Sequence, residues 1–380
     1  MPLAPVDDNG TVLFYEDSGI PDVNRAYTTL VLIHGITYNS DIFGKLVPFA
    51  AQYHLRLIRV NQRDYHPSSL FTTSEIEEFT STDKVTQSLG VRKRGVEIAN
   101  LLVHLIDTLN LPPISVGGDE KLGGISVLGW SMGAHLPIAL LGSASTLSDQ
   151  VQQRLQSYLR STILFDPSMF PVGVSIPPIV FTSDRPKGLY WPFFDTSISL
   201  EERVQRFGPW VSSYYEPTED ISTVTLEKLG KRSPVQDLTE DTFSALSIEP
   251  WKKAMTLDRI PPDELTAMSS IEATARYPGT LGNLDPSVNR GILRHALGLD
   301  DPLLGSVGTP LVWPECKVVL VWCDMTLVDC TIASATLVKL LSTEGSNVKR
   351  KVEVQRLIGA NHFPHWDEPE KVVSFLAGQI

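Results

Sequence analysis

The sequence predicts an α/β fold: a mostly parallel, doubly wound sheet with a large, mostly helical block inserted after the sixth strand. Three observations predict it. Short apolar runs alternate with helical spacing on both sides of a central gap, as a parallel sheet with helices on both faces requires. The alternation stops between residues 167 and 311, where Pro and Gly are frequent. Between the two, Gly129-Trp130-Ser131-Met132-Gly133 stands after a buried-strand run, Ile125 to Leu128, and before an apolar helical run, Met132 to Leu141.

In order along the chain, Asn9-Gly10 is a hairpin signal joining a strand near Leu3 to one over residues 11–16. Apolar runs predict strands over residues 28–33 and 55–60, with a helix over residues 46–51 between them. Residues 63–90 are polar, carry Glu75, Glu77, Glu78 and Asp83, and show no clear period, so an exposed long loop is expected there. Helical spacing returns over residues 96–109, and residues 112–122 form a connector rich in Pro and Gly. Pro137 removes a backbone donor from the helix after Ser131 and predicts a local kink. A helix over residues 151–158 precedes the sixth strand, residues 162–165, which ends at Asp166-Pro167.

The inserted block shows helical pieces over residues 200–207, 243–255 and 262–275, and aromatic clusters at residues 190–194 and at Trp210, Tyr214 and Tyr215. Alternation then resumes: strand 318–322, helix 331–341, strand 352–357 and closing helix 371–377. The chain thus divides into a first core segment (1–166), a helical cap or lid (167–311) and a second core segment (312–380).

Composition narrows the function classes. Of 380 residues, 42% are hydrophobic and 20% charged, a soluble globular balance. A formal net charge of −12 argues against a nucleic-acid partner, which would want a basic face. No apolar run approaches the ~20 residues that span a bilayer, and the first residues, Met1-Pro-Leu-Ala-Pro, do not read as a secretory leader. Three clustered cysteines, Cys316, Cys323 and Cys330, read as reduced thiols in a cytoplasmic protein.

Chemistry concentrates at Ser131. On a sharp strand-to-helix turn, Gly129 and Gly133 let strand and helix approach closely, and the Ser131 hydroxyl is lifted above the sheet edge. The Met132 N–H would then face a developing oxyanion. A serine hydroxyl needs a histidine to take its proton, and that histidine needs an acid to fix its tautomer. His362, in Gly359-Ala-Asn-His362-Phe-Pro-His365, directly follows the last strand; His365 is the other candidate. Neither has a third ligand at convincing spacing, so no metal is expected, and no cofactor. His34-Gly35-Ile36 ends an earlier strand, and its turn would direct the Ile36 N–H toward Ser131 as the second oxyanion donor.

Taken together, the Asn-Gly hairpin, His34-Gly35, Gly129-Trp-Ser-Met-Gly133 and Gly-Ala-Asn-His362 resemble the α/β-hydrolase superfamily over residues 10–166 and 312–380. The resemblance implies the α/β-hydrolase fold, a triad in the order serine, acid, histidine, and a lid in the insertion after Phe165. A looser likeness is to fungal serine hydrolases of the toxin-biosynthesis type, which carry an acidic residue followed by Pro after that same strand. One departure is plain. Many members have their acid after the next-to-last strand; here that place holds Thr326, in Cys323-Asp-Met-Thr326, with Asp324 and Asp329 nearby.

Asp166 is the preferred acid. It follows an apolar strand at the same sheet edge as Ser131, Pro167 would hold it extended, and pancreatic-type lipases carry their acid after this strand in a similar context. Asp324 is the alternative. The expected function is cleavage of a carboxylic ester, lactone or thioester of a small to medium apolar substrate through Ser131, His362 and Asp166 and an acyl-enzyme, with the aromatics of residues 190–215 helping to form the pocket. Acyl transfer on the same triad, or ligand binding on a hydrolase scaffold, are the competing expectations.

Overall fold

The computed structural model describes residues 2–117, 120–277, 280–301, 303 and 310–380. Eight strands form one sheet in the order β1 (Leu3–Pro5), β2 (Val12–Asp17), β4 (Leu55–Val60), β3 (Thr28–Ile33), β7 (Ile125–Trp130), β8 (Leu159–Phe165), β9 (Lys317–Cys323), β10 (Val352–Leu357). β2 is antiparallel to both β1 and β4, and every pairing from β4 to β10 is parallel. The connector before β7 forms a separate small hairpin, β5 (Ser115–Gly117) with β6 (Glu120–Leu122).

The continuous apolar runs arise because both sheet faces are covered. Val31 and Ile33 of β3, Ile125 and Val127 of β7 and Val318 and Leu320 of β9 enter one core. Their neighbours Leu30, Leu32, Leu128, Trp130, Val319 and Val321 enter the other. Helices α1 (Val47–Ala50), α2 (Thr73–Thr80), α3 (Lys84–Leu109), α4 (His135–Gly142) and α5 (Asp149–Gln156) belong to the first core segment.

The region expected as an exposed loop is the main departure. α2 is capped by a reciprocal Thr72–Glu75 box, and α3 starts at the Asp83 cap, well before residue 96. Its polar residues hide the helical period because many are buried against one another. Arg63 pairs with Glu75 at 2.8 Å and Glu97 at 2.6 Å, and Arg94 pairs with the same two carboxylates at 2.8 and 3.0 Å. Pro137 falls in the first turn of α4, just after a 3₁₀ turn at Ser131–Ala134, where a missing donor costs little.

The described part of residues 167–311 contains helices and 3₁₀ turns, with isolated bridges but no strand: α6 (Leu200–Ser212), α7 (Leu226–Gly230), α8 (Glu240–Ala245), α9 (Pro262–Met268), α10 (Ile271–Arg276) and α11 (Pro286–Ala296). α6 and α9 send Val211 and Met268 to the core face that holds Trp130. α11 packs against α3 and α4; a Cβ on Gly142 would meet the Ile292 carbonyl oxygen at 2.7 Å. The fold closes with α12 (Val328–Glu344), α13 (Pro364–Asp367) and α14 (Pro369–Ala377). All three cysteines are free and buried, and no helix among the described residues is long and apolar enough to cross a membrane.

Candidate active site

The parallel register brings the ends of four strands level. Ile33 lies beside Gly129, Trp130 beside Phe165, and Phe165 beside Val321. The residues that follow, His34-Gly35, Ser131, Asp166 and the turn after Cys323, therefore emerge along one edge, at the strand carboxyl ends where sites in open α/β sheets assemble.

Ser131 sits in the left-handed region at φ 56°, a conformation that a non-glycine residue keeps only when its surroundings hold it there. They do. A Cβ on Gly133 would lie 2.2 Å from the His34 carbonyl oxygen, and one on Gly35 would lie 2.9 Å from the Ser131 Cβ. No larger residue at either place would let the β3 turn touch the elbow. That contact brings the segment containing Ile36 against the segment containing Met132. His34 is fully buried and braces the turn: its Nε2 accepts from the Gln62 N–H at 3.1 Å, so its Nδ1 carries the proton and donates to the Gly35 carbonyl at 2.8 Å. Burial lowers its pKa to about 4, so it stays neutral.

The structure brings Asp166 to His362: Nδ1 of the imidazole lies 2.7 Å from Asp166 Oδ2. Asp166 is inaccessible and His362 nearly so, while Ser131 keeps 8% of its surface. Trp130 locks the histidine loop to the elbow, its Nε1–H donating to the His362 carbonyl at 2.9 Å with the two rings 4.8 Å apart. Asp166 is not extended, as Pro167 was expected to make it, but left-handed at φ 45°. Asp tolerates this region better than most residues, and the turn folds its carboxylate back over the end of β9. There Oδ1 accepts from the Cys323 N–H at 3.1 Å and Oδ2 from the Thr326 hydroxyl at 2.5 Å. Thr326 was set aside in the sequence because it cannot be an acid; its place, three residues past Cys323, was the signal for its contact with one.

Asp324 is engaged elsewhere. Its Oδ2 accepts from Arg356 at 2.8 and 3.1 Å, and its Oδ1 from the Gly359 and Ala360 N–H groups at 2.7 and 3.2 Å. His365, the other candidate base, is fully buried among Trp130, Phe43, Phe165 and Phe363, and neither ring nitrogen has a partner among the described residues. Burial depresses its pKa strongly. Cys330 Sγ lies 3.5 Å from His362 Nδ1 and, with Asp166, completes a group of three possible ligand atoms within 4.8 Å of one another. Burial pushes the Cys330 thiol well up. Asp329 accepts from the Met169 N–H at 3.2 Å; burial raises its carboxyl to about 6, partly offset by its bonds to Ser168 and Met169 and by His362.

A cavity of about 50 Å³ adjoins the two expected oxyanion segments. Ile36 and Met132 line it, together with apolar Phe71, Leu136, Ala273 and Leu281 and the inner face of the Arg63–Glu97–Arg94 cluster. Tyr277, just past α10, donates its hydroxyl to Met132 Sδ at 3.4 Å and forms part of the wall. The aromatics of residues 190–215 are absent from this lining. Trp191, Phe193, Phe194, Phe207 and Trp210 stack on one another, because a ring next to another ring on a short helical piece finds its nearest apolar partner there.

Comparison with known proteins follows the geometry. A profile of the alpha/beta hydrolase family matches residues 30–375. No curated protein sequence matches the chain. Solved structures it is similar to include an esterase from Exiguobacterium antarcticum (15% identity, TM-score 0.46, covering 100% of this chain and 99% of that one). Others are a bromoperoxidase from Bacillus anthracis (12%, 0.48, 100% and 99%) and a thermophilic esterase from Thermogutta terrifontis (15%, 0.45, 99% and 96%).

Proposed function

This chain belongs to the alpha/beta hydrolase family, and from that premise we propose that it is a serine hydrolase cleaving a carboxylic ester of a small to medium apolar substrate. The observation that carries the reading is the His362 Nδ1–Asp166 Oδ2 bond of 2.7 Å at the same sheet edge as the left-handed Ser131.

In this reading Asp166 holds the His362 proton on Nδ1 and leaves Nε2 free to act as a base. His362 takes the Ser131 proton as the oxygen attacks the ester carbonyl. The Ile36 and Met132 N–H groups stabilise the oxyanion of the tetrahedral intermediate. His362 returns the proton to the leaving alcohol, and water, deprotonated by the same histidine, releases the acid from the acyl-enzyme. The cavity beside Ile36 and Met132, lined in part by Phe71, Leu136 and Leu281, supports an apolar acyl group. Its charges are already matched, Arg63 and Arg94 by Glu75 and Glu97 and Arg276 by Asp64 at 3.1 Å, so an apolar acyl group fits better than a charged one.

The test is an ester panel of graded acyl length with wild type and Ser131→Ala, alongside labelling by a fluorophosphonate probe. Wild type is expected to label and to prefer apolar over highly polar esters, and folded Ser131→Ala to lose both labelling and several powers of ten in rate. A binding protein on this scaffold would not label. New esters formed on adding an alcohol would mark acyl transfer instead of hydrolysis.

A further inference from the structure

We propose that Thr326 is a positioning residue for Asp166 and His362: its hydroxyl binds the carboxylate oxygen that receives the imidazole N–H, fixing that oxygen's direction and moderating its pull on the proton. The proposal rests on the triad reading above.

Asp166 Oδ2 receives two donors, the Thr326 hydroxyl at 2.5 Å and His362 Nδ1–H at 2.7 Å, while Oδ1 receives the Cys323 N–H at 3.1 Å. A bond of that length from a hydroxyl to a carboxylate is in the range of strong charge-assisted bonds. The carboxylate is wholly buried on a turn with a left-handed backbone, and Thr326 joins the Cys323 N–H in opposing rotation about its last side-chain bond. Thr326 is itself held. It is 1% exposed, its carbonyl accepts from Arg232 Nη2 at 3.0 Å, and the preceding Met325 N–H donates to the Ala360 carbonyl at 2.9 Å in the loop that carries His362. Its β-branch further restricts the hydroxyl's rotation. The sheet edge thus supplies at the end of β9 a fixed donor for an acid delivered from the end of β8.

Each donor on Asp166 spreads its negative charge and helps fix its direction. With the Thr326 hydroxyl gone, the carboxylate is held only by the Cys323 N–H and by the ring that it orients. The Thr326 hydroxyl also faces the buried Cys330 thiol, so the substitution alters that contact as well.

The experiment measures kcat and KM on one ester for wild type, Thr326→Val, Thr326→Ser, Asp166→Asn, Asp166→Asn/Thr326→Val and Ser131→Ala, each checked for fold by circular dichroism and Tm. Thr326→Val is expected to lower kcat about tenfold with KM nearly constant, the loss of one modest hydrogen bond's worth of orientation. Thr326→Ser restores kcat, and Thr326→Val adds little further loss to Asp166→Asn because its partner is already altered. Should the valine variant fail to fold, Thr326→Ala is read by the same criteria. Wild-type kcat in the folded variant, with Ser131→Ala and Asp166→Asn inactive, overturns the role of Thr326 alone. Activity in Ser131→Ala or Asp166→Asn overturns the triad reading and this proposal with it.

Discussion

Three side chains at the carboxyl ends of the strands carry opposite expectations. Asp166 and Asp324 lie one strand apart, yet only Asp166 reaches the His362 ring. Asp324 braces the β10 turn through Arg356 and two backbone N–H groups. Asp166→Asn is therefore expected to cut kcat by about three to four powers of ten with little change in Tm. Asp324→Asn, once folded, keeps most of its activity but melts earlier, losing a charged hydrogen-bond set of about 1.5–3 kcal/mol. Steady-state kinetics beside thermal melts distinguishes the two, and an inactive Asp324→Asn with an active Asp166→Asn would assign the acid to β9. His365 gives a sharper contrast with His362. Its nitrogens are buried against aromatic rings without a partner among the described residues, a polar cost with no visible return. His365→Leu should leave kcat within a few-fold of wild type and hold or raise Tm, whereas His362→Ala should abolish turnover. A dead but folded His365→Leu would show that the ring acts on the reaction.

At the scale of elements, the crossing of α3 and α4 governs how the elbow helix is seated. A Cβ on Gly95 would come within 2.2 Å of the Ala139 carbonyl oxygen and 2.3 Å of Ser143 Oγ. Alanine would gain up to ~1 kcal/mol of helix propensity, but the clash is with backbone and costs more, roughly 1–3 kcal/mol if the helices part. Gly95→Ala is thus expected to lower the denaturation midpoint and, by shifting α4, to reduce kcat; an unchanged midpoint in urea would show that the helices are not in close contact. The same contact explains why the first half of α3 was illegible. Gly90, Arg94 and Gly95 break the apolar period in one dimension, and helical spacing emerges only from residue 96, just before Glu97. In the fold they are the small and paired residues that a tight, polar helix–helix contact requires.

Across the whole molecule, stability depends on a charge cluster inside the first core segment. Burial raises the Glu75 carboxyl, but bonds from Arg63 and the Thr72 N–H, with the charges of Arg94 and Arg63, outweigh it and hold Glu75 at about 2. A carboxylate lowered in the folded state stabilises the fold above its unfolded value, and that contribution is lost as pH falls through the folded one. Glu97 runs the other way: burial dominates there and raises its pKa despite both arginines. Glu75→Gln should therefore lower Tm at neutral pH, and the gap to wild type should close as pH falls from about 4.5 toward 2. A gap independent of pH would mean that packing, not charge, is what the substitution removes.

The sequence by itself determined the sheet and its elbow. Short apolar runs between turn signals record burial on two faces, and residues 28–33, for example, are β3 to the residue. Gly129 to Gly133 encode a local geometry, and so does the position of His362 after the last strand. Only the tertiary structure decided what meets across strands. That Asp166 turns left-handed and reaches His362, that Thr326 binds the same oxygen, and that the charged stretch around Arg63 folds inward are contacts between segments 30 to 200 residues apart. No period or local propensity carries them. They come from strand order and register, which bring the ends of β7, β8 and β9 side by side, and from the pairing of buried charges, which removes the amphipathic signal from a helix by making its inner face polar.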